Sequence, residues 1–344
     1  MTTAEMPISQ YPIGHLQLDS TPVVAEPWHA TERTAWDALA QECGASFRCG
    51  YRASSGWQLD HHRVFRMQRY ALWLQGSDHR EQIGQVAIGL GPRVRVFADG
   101  LQLRPQHAHR WREAMSAVLS AAGPGIYRYG SRWSLEPRRE SECASIAGVR
   151  VERVQPITMY AVDFTRWRSW ECYASALSEN ARRNIRKAEK LGDALNIDIR
   201  RGSEMLQLGR HLLQLRRGLY ARKRIPFSMT TSALRLLLRA WALRDQAFIA
   251  VSRLNGEPVC AFGGIVFGDN TFFVDSGSIQ EDRGSYWHLM SRMLRDAYER
   301  APHGRFVTGA HYEGSPISPG LEFFRHQCRA EGSPTSEFEF SYEG

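Results

Sequence analysis

No run of apolar residues in this chain approaches the roughly 20 that a membrane-crossing helix needs. The N-terminal MTTAEMPISQYPIGH also lacks a basic segment followed by an apolar one. No membrane span or leader is expected, and a cytoplasmic location is. Cysteines are few and scattered: Cys43, Cys49, Cys143, Cys172, Cys260 and Cys328 form no C-x-x-C pair, which argues against a zinc ribbon or a disulfide framework and for reduced, structural thiols. There is no G-x-S-x-G elbow, no P-loop and no H-E-x-x-H, so nothing points to a hydrolase, an NTPase or a zinc peptidase. Asp60-His61-His62 and His107-x-His109 lack the spacing of a zinc site and are expected to face solvent, with no metal bound.

What is present is an ordinary globular balance of 43% hydrophobic and 23% charged residues over 344 positions, comfortable for two domains. The formal net charge is +8 and the pI about 9.4. An anionic partner is one explanation, whether a phosphorylated cofactor, tRNA or an anionic envelope substrate, and a solvated basic surface is the other.

Residues 1–27 are polar and proline-punctuated, expected as a tail or a first edge segment. Helical periodicity begins at Glu32–Glu42, and alternation predicts strands at Phe65–Leu74, Gln82–Leu90 and Arg93–Phe97. A helix over Gln106–Ala122, stopped by Gly123-Pro124-Gly125, leads to a strand at Ile126–Tyr129. Further on, Thr158–Phe164 alternates and Trp167–Ala176 is helical. Three apolar runs then follow in quick succession, Ala247–Arg253, Pro258–Phe267 and Thr271–Ile279, the first two joined by the hairpin pair Asn255-Gly256. A helix over Ser285–Arg300 and a strand over Arg305–Thr308 complete the pattern. The two passes share an order of elements rather than sequence identity, which predicts a tandem: 28–157, then 158–344 including a basic helix at 178–192.

That helix, SENARRNIRKAEKLG, places Arg182, Arg186 and Lys190 four residues apart with Arg183 and Lys187 beside them, a band of five positive charges. Ile185, Ala188 and Leu191 are spaced to dock the other face. A second cluster, LRRGLYARKR at Leu215–Arg224, interleaves Arg216, Arg217, Arg222, Lys223 and Arg224 with Leu219 and Tyr220. It suits phosphate groups, or equally a helix end displaying last-turn cations.

The meander, helix, strand order resembles the GNAT acyltransferase fold. SENARRNIRKAEKLG is similar to the linker-helix signature of the Fem-type aminoacyltransferases and their tandem-GNAT relatives, with Arg182, Ile185, Arg186, Ala188 and Gly192 at the matching positions. IAVSRLNGEPVCAFGGIVFGDNTFFVDSG resembles that group's central hairpin and following strand, and FVTGAHYEGSPISPGLEFFRHQC its final strand, glycine turn and Phe-rich helix, with Pro319 at a first helical position after Ser318. The resemblance covers roughly residues 158–340. It implies an α/β (α+β) fold of tandem GNAT-like domains, each a mostly antiparallel mixed sheet flanked by helices. It implies an N-acyltransferase moving an acyl or aminoacyl group to the amine of a small molecule or peptide, with acyl-CoA, a carrier thioester or aminoacyl-tRNA as co-substrate and no tightly bound cofactor. The GNAT pyrophosphate loop is degenerate here: Gln280-Glu281-Asp282-Arg283-Gly284-Ser285 has Arg283 where a glycine belongs, so Arg283, Gly284 and Ser285 are either a phosphate cradle or a helix cap. The nearer alternative is a tRNA-dependent aminoacyltransferase acting on a peptidoglycan precursor or a small-molecule amine, and the alternative from another class is a non-catalytic module holding RNA or polyphosphate on the basic face.

Acyl transfer to an amine needs a neutral nucleophile, a carbonyl held beside it and a destination for the proton. The candidates are His311 or Glu313 as base and Tyr312 as donor, in a loop expected after the fifth strand. Asp275 is a second candidate base, because a carboxylate in an apolar strand must find a partner or shift its pKa upward. Asp99 holds a comparable place in the first half. Arg182, Arg183, Arg186, Lys187, Arg216 and Arg222 are the expected contacts to the donor.

Overall fold

The computed structural model describes residues 21–29, 33–60, 66–76, 80–279, 284–315 and 319–344. The first half runs β1 (Val23–Pro27), α1 (Arg33–Glu42), α2 (Tyr51–Asp60), β2 (Arg66–Gln75), β3 (Arg80–Leu90), β4 (Val94–Phe97), β5 (Gln102–Leu103), α3 (Trp111–Ala122), β6 (Gly125–Tyr129), α4 (Glu140–Ala144) and β7 (Val149–Asp163). After α5 (Trp170–Ala176) and α6 (Glu179–Glu189), the second half runs β8 (Leu195–Arg201), α7 (Met205–Arg222), α8 (Met229–Leu243), β9 (Ala247–Leu254), β10 (Glu257–Phe267), β11 (Asn270–Ser278), α9 (Ser285–Arg300), β12 (Arg305–Tyr312), α10 (Pro319–Gln327) and β13 (Glu331–Tyr342).

Among the described residues, thirteen strands form one sheet, in the order β1-β2-β3-β4-β6-β13-β7-β12-β11-β10-β9-β8 with β5 paired to β3. The order reads as two copies of one pattern. β1 to β4 form an antiparallel meander, α3 crosses over, and β6 returns parallel to β4. β8 to β11 do the same, α9 crosses over, and β12 returns parallel to β11. The closing strands are exchanged: β13 lies between β6 and β7, and β7 between β13 and β12. The ladder from Glu331↔Ala161 to Tyr342↔Val149 therefore fuses the halves by backbone hydrogen bonds, and the expected boundary at 157/158 falls inside β7.

Several expected bounds shift for local reasons. The stretch before α3 is a tight turn over Pro105–Arg110, with proline at its start, and the α-helix begins at Trp111. α5 starts at Trp170, where the Ser169 hydroxyl accepts from Cys172 N at 3.3 Å. β8, unforeseen, pairs with β9 along its whole length. The N-terminal tail or edge segment contributes β1, the edge strand beside β2. Asn255 and Gly256 take φ of 52° and 87°, as the expected hairpin requires.

Apolar cores line both faces. On one, α7 and α8 pack Leu212, Leu236 and Leu243 on Ile249, Ile265 and Phe272; on the other, α9 and α10 pack Trp287, Met290 and Phe324 with Phe262 and Phe306. A third cluster in the first half centres on Trp111, Leu119, Phe97 and Phe340. All six cysteines are free thiols, four of them buried. Among the described residues, no helix is long and apolar enough to cross a membrane.

Two local features position the functional residues. In β11, Gly263 pairs with Asp275 but Gly264 pairs with Phe273, so Val274 is the extra residue of a bulge. The bulge lets consecutive Val274 and Asp275 both face α7 rather than alternate. Two residues on, a Cβ on Gly277 would lie 2.4 Å from Arg216 N, so the α7 backbone rests directly on β11. Gly277→Ala is expected to push α7 away and to cost roughly 2 kcal/mol, measured by urea unfolding; an unchanged midpoint would refute the contact.

Candidate active site

A cavity of about 660 Å³ opens at the seam of the two halves, within the range of small-molecule sites. α7 contributes Leu212, Arg216 and Tyr220, four residues apart on one face, and α8 contributes Arg235 and Arg239. Val274 and Asp275 form its floor, and the first half closes it with Phe47, Arg48, Arg132 and Trp133. Among the described residues, five arginines thus line the space against a single carboxylate.

Asp275 is only 8% exposed. Its Oδ2 accepts from Arg239 Nη1 at 2.6 Å, and its Oδ1 pairs with Arg216 Nη1. Burial alone would raise its pKa, but Arg239 and then Arg216, with Arg132 farther off, outweigh that and hold it below the usual carboxylate range. A carboxylate held this way is a weak base near neutral pH; it orients two guanidinium groups. Arg216 also donates to the Tyr220 hydroxyl at 3.1 Å and lies over the Tyr220 ring.

The expected loop at 309–313 is corrected: β12 pairs with β7 through His311↔Thr158 and Tyr312↔Ile157, so the strand extends past Thr308. His311 and Tyr312, adjacent in a strand, point to opposite faces, and Glu313 is bound to Arg138 at 2.6 Å on the surface. The three do not converge. Tyr312 instead donates to Glu337 Oε1 at 3.1 Å. Burial, followed by Glu337, pushes Tyr312 up to about 12, and burial raises Glu337 as well. Arg132 and Arg48, both lining the cavity, are the cations that act on Tyr312. Glu337 is a carboxylate paired with Tyr312 that the sequence does not point to. It lies on β13, whose exchange brings it to the seam, and nothing local marks it.

The basic helix is built as its periodicity implies. Ser178 caps it, accepting from Ala181 N at 3.1 Å; Ala181 and Ala188 are buried with Ile185 and Leu191 packed beside them, and Arg182, Arg183, Arg186, Lys187 and Lys190 are exposed. Gly284, at φ 88°, starts α9, and a Cβ there would lie 2.5 Å from Asn184 O, so α6 rests against the α9 N-terminus. Ser285 is buried and makes no capping bond. Arg222 donates to Ser278 O at 2.5 Å. Arg283, Ser318, His61 and His62 lie outside the described residues. His107 pairs with Glu81 at 3.2 Å, and among the described residues no group of metal-ligating side chains is assembled.

The register supports the parallel between Asp99 and Asp275. Parallel pairing ends at Val96↔Arg128 in one half and Phe272↔Val307 in the other, and each aspartate sits three residues beyond. Asp99 is buried, accepting from Ser46 Oγ at 2.5 Å and Ser131 Oγ at 2.8 Å.

Residues 175–314 match a family model described as an acetyltransferase (GNAT) domain. That segment is thus a GNAT domain, and the fold of the chain as a whole is of the Fem-like tandem kind. Among solved structures it is similar to FemX, at 12% identity over 92% of this chain and 97% of that one, with a TM-score of 0.67. It is also similar to L-PGS from Bacillus licheniformis, at 12% identity over 91% and 92% with a TM-score of 0.52. A conserved protein of unknown function from Bacteroides thetaiotaomicron matches at 10% identity over 93% and 100%, also with a TM-score of 0.52. At such identities the likeness is one of fold. No curated protein sequence matches the chain. The domain match supports an acyltransferase enzyme.

Proposed function

We propose that the protein transfers an acyl or aminoacyl group to the amine of an acceptor that also carries an anionic group, held in the cavity between the two halves. The observation that carries this is the cavity wall itself: Arg48, Arg132, Arg216, Arg235 and Arg239 face one space. A planar guanidinium fork suits phosphate or carboxylate. In this scheme Glu337, through the Tyr312 hydroxyl, receives the proton that the amine loses on attack, and burial, by raising its pKa, makes it a stronger base than an exposed carboxylate. The donor carbonyl sits where β11 and β12 part beyond Phe272↔Val307.

An acyl thioester and an aminoacyl-tRNA remain the two donor classes. The exposed band on α6, set against the start of α9, favours an extended anionic donor and hence the tRNA arm. Purified protein incubated with an amine mixture and either acetyl-CoA, longer acyl-CoAs or charged tRNA decides between them, since product from one donor alone names it and product from none overturns the scheme. Arg132 is the cleanest probe of the acceptor side because it is exposed and lies outside the Asp275 pairs. Arg132→Ala is expected to raise KM for the acceptor about tenfold with kcat nearly unchanged; an unchanged KM would place the acceptor elsewhere.

A further inference from the structure

The helical hairpin of α7 and α8 has a second face that the cavity does not use. At 100° per residue, Leu236 and Leu243 of α8 turn toward the core and are buried. Thr230, Leu234, Leu237 and Trp241 fall on the opposite side within an arc of roughly 60°. Leu234 is 56% exposed, Leu237 54% and Trp241 55%. Single exposed apolar residues are commonplace, but a leucine-leucine-tryptophan stripe along one helix is a patch that calls for a partner. Ile225, just before the helix, is 46% exposed as well.

The charge around that stripe selects the partner. Residues 205–244 contain eight arginines and one lysine and no aspartate or glutamate. Lys223 and Arg224 are exposed at one end of the stripe and Arg244 at the other. A second copy of this chain would bring these like charges together, which opposes self-association through this face. A nucleic acid would satisfy the cations and leave the leucines in water. A bilayer with anionic headgroups satisfies both: the apolar stripe enters the headgroup and acyl boundary, the tryptophan sits at the interface, and long cationic side chains reach the phosphate plane.

We propose that α8 is a docking surface for an anionic lipid bilayer, with Leu234, Leu237 and Trp241 inserted and Lys223, Arg224 and Arg244 on the headgroups. The helix lies in the interface and does not span it. The proposal stands apart from the acyl-transfer scheme, because the stripe faces away from the cavity and docking is measured without a donor or an acceptor.

The test is co-sedimentation of the full chain with phosphatidylcholine vesicles, with and without phosphatidylglycerol. Binding is expected to the mixed vesicles and to fall as salt rises. The variant Leu234→Ser/Leu237→Ser/Trp241→Ser is expected to lose roughly tenfold or more in affinity at an unchanged melting temperature, and Lys223→Gln/Arg224→Gln to weaken binding only where phosphatidylglycerol is present. If the serine variant misfolds, quenching by brominated lipid, taken as the difference between the chain and its Trp241→Phe variant, reports insertion of that side chain directly. Absence of binding, binding undiminished in the serine variant, no Trp241 quenching, or a dimer that Leu237→Ser dissolves would each overturn the proposal.

Discussion

Asp275→Asn is expected to destabilise the protein by about 4 kcal/mol and to abolish turnover. The substitution keeps the shape of the side chain and removes the one charge that Arg216 and Arg239 share inside a largely covered site. Two guanidinium groups then face each other without a counter-ion, which costs more than the lost hydrogen bonds alone. The sign with pH follows from the direction of the shift. Because the arginines depress the folded pKa, the stabilisation is complete above the ordinary aspartate value of about 3.9 and is lost as pH falls through the lower folded value. The difference between wild type and Asp275→Asn should therefore close in acid. Arg216→Met/Asp275→Leu/Arg239→Met adds a second check, since replacing the whole triad by apolar groups is expected to recover most of the stability and none of the activity. A loss below about 1 kcal/mol in the single variant would refute the clamp.

The parts legible in the sequence are those fixed by neighbours along the chain. The β9–β10 hairpin follows from Asn255-Gly256, and the basic face of α6 follows from the i, i+4 spacing of Arg182, Arg186 and Lys190. Asp275 stood out as a carboxylate in an apolar strand. Its partners did not, because Arg216 lies in a cluster read equally well as a helix end and Arg239 in a helix that carries no basic cluster. β13 was the larger omission. Its partners lie in β7 and β6, well over a hundred residues earlier, and no local period encodes an exchange of closing strands. Without β13 nothing in the sequence marks Glu337 or its bond to Tyr312, and the last residues of β12 read as a loop. β7 reads short for a related reason: VRVERVQP carries charges and a proline, and it pairs with β13 alone, because the β12 ladder begins only at Ile157.

Glu136→Gln is expected to leave stability little changed near pH 4 and to raise it by about 3 kcal/mol relative to wild type by pH 8. Glu136 belongs to the first half and takes no part in the cavity. Its Oε2 accepts from the Tyr129 hydroxyl at 2.5 Å, and that hydroxyl is already fixed by accepting from Leu101 N at 2.8 Å and Trp111 Nε1 at 3.1 Å. The side chain is 18% exposed. Burial pushes the carboxyl up from 4.5 to about 7, against the opposing pull of Tyr129 and Arg139. A folded pKa above the unfolded one means that the native state holds the extra proton. The associated stability is therefore full below about 4.5 and is lost as pH rises through 7. The glutamine variant has no such proton to lose. Paired urea titrations across that window measure the difference, and a constant gap between the two proteins would exclude the assignment. The location explains why such a group survives: Tyr129 follows Arg128, the last residue of the parallel ladder, as Thr308 follows Val307 in the second half. Where β11 and β12 part, the side chain is a small threonine; where β4 and β6 part, a tyrosine fills the wedge and Glu136 completes its hydrogen bonding. Glu136 thus lines a separate cavity of about 260 Å³ in the first half, and titrating it should change stability without changing the acceptor KM.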